Sequence, residues 1–156
     1  MPIDTRYELR KSMRAVPAVL RALVERFDAD AMTRRPAPGE WAAVEVIAHL
    51  ADGEDWALRR VRRMLDEDEP DLEPFDQAAL AVEHNYLELD ARAELARFEG
   101  LRAEHLALLE GLDGAGWQRV GIHGEHGRMT IEEYESHVAA EEVDHLAQLS
   151  RLLWDV

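Results

Sequence analysis

The chain has 156 residues, 47% of them hydrophobic, which supports one domain with its own core over residues 1–156 and is short for two. With 33 acidic side chains against 18 Lys and Arg, its formal net charge is −15, which argues against nucleic acid and anionic membrane surfaces as partners. It has no cysteine, which excludes disulfides, a thiolate nucleophile, iron–sulfur clusters and cysteine-ligated zinc, so any metal must be held by nitrogen and oxygen.

The N-terminal MPIDTRYELRK lacks the charged-then-apolar pattern of a signal peptide, and no apolar run approaches the ~20 residues of a membrane span. A soluble, cytoplasmic protein is expected. Four long segments carry helical periodicity and none shows sustained period-two alternation, so the chain reads as all-α. The first helix, about Asp4 to Phe27, has the stripe Leu9, Met13, Val16, Leu20, Leu23 and Phe27, and Pro17 should kink it. Pro36, Pro38 and Gly39 break the chain before a second helix, about Ala42 to Asp66, with the stripe Ile47, Leu50, Ala51, Leu58, Val61 and Leu65 and Glu54 inside the apolar arc. His49 lies on another side, with Val46, Gly53 and Trp56, as in a helix set between two neighbours. Arg59, Arg60, Arg62 and Arg63 precede the acidic run Asp66–Glu69 and should favour the helix dipole and pair with nearby acids.

The segment from Glu67 to Asp90 is too long for a hairpin between adjacent antiparallel helices. With Pro70, Pro74 and a short helix at Asp76–His84, it is expected to cross the bundle. The third helix, about Asp90 to Leu112, buries Ala91, Leu95, Phe98, Leu101, Leu108 and Leu112 and ends at glycines 111, 114 and 116. His105 falls on its core stripe, where a hydrogen-bonded core histidine is expected. A loop over Gly121–Gly127 carries His123 and His126, expected to be solvated unless that loop folds over a site. Thr130 and Glu133 form a capping box that starts the fourth helix.

That last helix has the seam Ile131, Tyr134, Val138, Glu141, His145, Gln148 and Leu152, polar in its middle. Glu141 and His145 are one turn apart on one face, a geometry from which two side chains can meet one metal ion. With His49 they make two imidazoles and a carboxylate, the donor set of catalytic zinc and some non-haem iron(II) centres. The competing reading is a polar layer in which Glu141, His145 and Gln148 bond one another and fix helix register. His137, one turn from Glu141, could be a fourth ligand or support one, although such a position is more often a half-solvated flank, and Glu54, Asp144 or Gln148 could orient a ligand imidazole. Glu142 and His145 form an E-x-x-H pair like those of di-iron bundles, but the chain has no second pair. Trp56, Tyr134 and Met129 could wall a pocket.

Several segments together resemble the DinB-like superfamily. They are Trp41 to Glu54 with His49 eight residues after the tryptophan, Pro74-Phe75-Asp76-Gln77, Gly127 to Tyr134, and His137 through His145-Leu-Ala-Gln148. The resemblance implies a four-helix bundle in up-down-down-up order with a long crossover between helices 2 and 3. It implies a divalent metal, zinc or nickel first and iron next, held by one histidine of helix 2 and an H-x3-H pair of helix 4. His49 and His145 match that pattern, and Glu141 takes the place of the middle histidine. Ala42 stands where a helix-starting serine is usual. The family includes enzymes that use low-molecular-weight thiols such as bacillithiol, mycothiol or glutathione, and dimers are common. The resemblance therefore implies a metal-dependent thiol transferase or hydrolase acting on a small molecule. The alternative is a non-catalytic, stress-associated bundle, metal-free or metal-stabilised, acting through dimerisation.

Overall fold

The computed structural model describes residues 3–154. Four long helices, α1 (Thr5–Val24), α3 (Ala43–Asp66), α5 (Ala91–Glu110) and α7 (Ile131–Trp154), alternate with the short helices α2 (Ala29–Thr33), α4 (Gln77–Glu83) and α6 (Gly114–Trp117). No helix among the described residues is long and apolar enough to cross a membrane. Local chemistry sets the helix starts. The Asp4 and Asp90 carboxylates accept the Tyr7 and Ala93 N–H groups, and Thr130 and Glu133 form the reciprocal box that the sequence suggests. Ala42 offers α3 no side-chain cap, yet Glu45 reaches back to accept its N–H at 2.8 Å.

The chain adds one element to the all-α reading. Val120–His123 (β1) pairs antiparallel with Gly127–Thr130 (β2) where only a loop is expected. Strands of four residues are too short for alternation to register as a pattern. Tertiary contacts hold them: the Leu72 N–H donates to the Ile122 carbonyl at 2.9 Å and the Ile122 N–H to the Pro70 carbonyl at 2.8 Å. Gly121 permits this approach, because a Cβ there would lie 2.9 Å from both Leu72 and Met64 side-chain carbons.

Two apolar clusters fill the bundle. One joins Val16, Leu20 and Val24 of α1 to Ile47 and Leu50 of α3, Leu95 and Phe98 of α5 and Leu149 of α7. The other joins Leu9 and Met13 to Val61 and Met64, Leu109, and Ile131 and Tyr134. α3 and α5 therefore begin in the first cluster and end in the second, whereas α1 and α7 run the opposite way. The 67–90 connection retraces α3 to make this possible: Arg63 donates to the Asp71 carbonyl, Arg60 to the Glu73 carbonyl, and Asp52 meets His84 and Tyr86.

Between the clusters lies a buried ionic layer. Arg102 of α5, 2% exposed, donates to both oxygens of Glu54 at 2.9 and 2.8 Å and to Glu142 of α7. Its Nη1 also donates to the Met13 carbonyl at 3.1 Å. That carbonyl is the one Pro17, four residues on in α1, has no N–H to satisfy. His105 sits beside this network, with Nδ1 3.0 Å from Glu54 and Nε2 3.1 Å from Glu135. The second approach is too bent for a hydrogen bond and is ionic in character.

Burial opposes the charge on His105, but Glu135 and Glu54 overcome it and hold the imidazolium up to about 10. Burial likewise opposes the Glu54 carboxylate, and His105 and Arg102 bring it down to about 2. A histidine raised in the folded state stabilises fully below its unfolded value near 6.5 and loses that contribution as pH rises through about 10. Urea midpoints should therefore fall from neutral pH to about pH 10. His105→Gln should flatten that slope. Arg102→Met would strand buried carboxylates and should cost about 3–5 kcal/mol in urea unfolding. Arg14→Ala, which removes an exposed pair with Glu110, should cost about 0–1 kcal/mol.

Candidate metal centre

On α3, His49, Gly53, Trp56 and Arg60 share one face, and on α7, Tyr134, Val138, Glu141 and His145 do, by the same alternating steps of four and three. The two faces bound a cavity of about 720 Å³, closed at its sides by segments 74–78 and 123–125. His49, 6% exposed, lies against Trp41 and Phe75, with ring centroids 5.2 and 5.5 Å away. Its Nε2 is 2.9 Å from Nε2 of His145. One turn on, the Gln148 Oε1 accepts from Nδ1 of His145 at 3.0 Å, which places the proton there and leaves the Nε2 lone pair facing His49. Burial, and then the neighbouring His145, push His49 down to about 3, so it is neutral and able to donate a lone pair. Its Nδ1 is buried and has no partner among the described residues.

The other sequence-derived candidates fall in different places. Glu141, expected in the core seam, has a side chain 64% exposed and lies 3.4 Å from Nε2 of His137, at the mouth of the same cavity. Its neighbour Glu142 takes the buried position and pairs with Arg102. Glu54 does not orient a ligand imidazole, because Arg102 and His105 engage its oxygens. Asp144 is exposed at the rim. His105 is a core histidine, as its stripe suggests, hydrogen-bonded to Glu54 through Nδ1 and ion-paired with Glu135 through Nε2. The hairpin loop does approach the site: His126 stacks on His123 at 4.8 Å and meets His137 at 4.5 Å.

As the side chains stand, two imidazole nitrogens converge, and among the described residues no three His, Asp or Glu groups are close enough to hold an ion. The donor chemistry nevertheless fits a divalent transition metal. Both rings face each other through Nε2, one is neutral by burial, the other is oriented by Gln148, and a carboxylate one turn away lines the same cavity.

Comparison with known proteins identifies the family. The model of the DinB superfamily matches residues 12–149, and the chain belongs to that family. A Geobacillus thermodenitrificans protein named "Putative metal-dependent hydrolase" is 30% identical over 70% of this chain and 61% of its own length. The chain thus spans less than two thirds of that relative. A Geobacillus kaustophilus protein of the same description is 28% identical over 90% of this chain and 80% of its own. Among solved structures, YfiT from Bacillus subtilis, described as a "probable metal-dependent hydrolase with an unusual four-helix bundle topology", superposes with a TM-score of 0.87. The match has 24% identity and covers 94% of this chain and 85% of that one. A mycothiol-dependent maleylpyruvate isomerase superposes with a TM-score of 0.75 at 14% identity, over 96% of this chain and 61% of that one. These structural likenesses bear on the fold.

The Gln148 contact generates a spectroscopic expectation. In metal-free protein near neutral pH, nitrogen-15 NMR should find His145 protonated at Nδ1. Gln148→Leu should spread that proton over both ring nitrogens.

Proposed function

We propose that this chain is a divalent-metal-dependent enzyme acting on a small molecule, with His49, Glu141 and His145 as ligands and zinc or nickel, or else iron, as the ion. The observation that carries this reading is the 2.9 Å approach of two oriented Nε2 atoms at the wall of a sizeable cavity. A divalent ion there supplies Lewis-acid chemistry, lowering the pKa of a thiol or water beside it. Glu141 would complete the set in place of its present contact with His137, whose imidazole at the cavity mouth would then be placed to take or give a proton. Trp41 and Phe75 fix the His49 ring and keep water from its back. The names of the sequence relatives support a hydrolase, with water as nucleophile. The isomerase neighbour supports a thiol transferase with a low-molecular-weight thiol as co-substrate.

One observation favours the non-catalytic alternative. His49 and His145 already contact each other directly while Glu141 faces away, as in a polar layer that specifies register. Elemental analysis of protein prepared without a histidine tag separates the two readings. About one metal per chain is expected. His49→Ala and His145→Ala should abolish binding, Glu141→Ala should weaken it at least about tenfold, and the rim variant His126→Ala should leave it intact. Stoichiometry near zero after incubation with zinc, nickel and iron(II) would overturn the enzyme reading.

A further inference from the structure

The described residues include two buried arginines, and they are satisfied in opposite ways. Arg102 meets two carboxylates, whereas Arg60, 8% exposed, forms no ion pair among the described residues. Its Nε donates to the Glu73 carbonyl at 3.1 Å, and Nη2 reaches the same oxygen. Nη1 lies 3.4 Å from the Tyr134 hydroxyl. A carbonyl and a phenol satisfy hydrogen bonds without cancelling a charge, and a buried guanidinium normally carries a counterion. The contrast is sharpened by a chain with 33 acids, and by Arg59, Arg62 and Arg63, which all pair with carboxylates.

The unpaired cation lines the cavity of the histidine pair. Trp56 Nε1 donates to the same Glu73 carbonyl at 3.3 Å, so one backbone oxygen anchors both side chains, and Arg60 springs from α3 about 16 Å along its axis from His49. The Tyr134 hydroxyl accepts from Nη1 and has no acceptor for its own proton among the described residues. His123 lines the same cavity, and its Nδ1 accepts the Glu125 and His126 backbone N–H groups at 3.2 and 3.3 Å, which leaves its proton on Nε2. A second Nη1 hydrogen, the tyrosine O–H and the imidazole N–H are therefore donors with no acceptor among the described residues, in a cavity whose nearest buried carboxylates, Glu54 and Glu142, are held by Arg102. Trp56 and Phe75, centroids 5.5 Å apart, give the adjoining wall an apolar, aromatic surface.

We infer that Arg60 and Tyr134, assisted by His123, form the binding subsite for a carboxylate attached to an apolar or aromatic body, and so define the substrate class. A single cation with two or three neutral donors matches a monoanion; a phosphate dianion would call for more charge. The assignment of this carboxylate to the substrate rests on the metal-enzyme reading, but its binding does not. The test is calorimetric titration of metal-free protein with benzoate, its neutral counterpart benzamide, and inorganic phosphate at constant ionic strength. Benzoate is expected to bind at least about tenfold more tightly than either. Arg60→Gln should lower benzoate affinity by at least about tenfold, and Tyr134→Phe by about three- to tenfold, with benzamide unaffected. Should Arg60→Gln fail to fold, judged by circular dichroism, Tyr134→Phe carries the test alone. Equal binding of benzoate and benzamide, equal binding of phosphate, or full benzoate affinity in the folded variants would each overturn the inference. Zinc titration of the same preparations reports separately on the metal reading.

Discussion

Arg102 projects from α5 into the centre of the bundle, and its N–H groups reach α1 at the Met13 carbonyl, α3 at Glu54 and α7 at Glu142. All four long helices therefore meet at one guanidinium, in a plane between two apolar clusters that could otherwise slide past one another. Hydrophobic contact is non-directional and tolerates such sliding, whereas hydrogen bonds to a planar fork do not. Burying these charges adds little net stability compared with an apolar core. What the layer contributes is register, and the same guanidinium also offsets the acceptor that Pro17 leaves unmatched in α1.

That register is what the functional face needs. Across α3 and α7, His49 meets His145, Glu54 and Glu142 share Arg102, and Arg60 meets Tyr134, three pairings in a single antiparallel alignment. A slip of α7 by one residue rotates its side chains by about 100° and would turn His145 away from His49. The charged layer and the histidine pair thus occupy adjacent faces of the same two helices. One is closed over by α1 and α5, and the other opens into the cavity.

The long helices, their apolar stripes, the capping box at Thr130 and the core role of His105 were legible from the sequence, because each depends on spacing along a single segment. His49 and His145 were legible for the same reason, helped by the superfamily pattern. The roles of Glu141 and Glu142 were not. A heptad seam drawn from Ile131 through Tyr134 assigns Glu141 to the core, but the buried stripe of the helix runs from Ile131 through Glu135 and Glu142 to Leu149, and the line of Tyr134, Val138, Glu141 and His145 faces the cavity instead. The partner that identifies Glu142, Arg102, lies 40 residues away in α5, where an arginine on an apolar stripe looks like a solvated flank. The hairpin was hidden because its strands are four residues long and are fixed by backbone bonds to Pro70 and Leu72.

The arginine run of α3 shows the same limit from the other side. Arg59, Arg60, Arg62 and Arg63 have nearly identical sequence surroundings, and a helix-dipole argument treats them alike. Helical rotation separates them: Arg59 pairs with Asp55 over the Trp56 ring, Arg62 reaches Glu104 of α5, Arg63 pairs with Glu67, and Arg60 alone turns into the cavity. Holding Arg60 there requires the 67–90 connection to fold back along α3, since the Glu73 carbonyl anchors two of its three nitrogens. The connection that lets α3 and α5 run the same way therefore also presents an uncompensated positive charge to the cavity. Six carboxylic residues line the same cavity, Glu54, Asp76, Glu125, Glu141, Glu142 and Asp144, so the positive charge of Arg60 is confined to the end of the wall beside Tyr134.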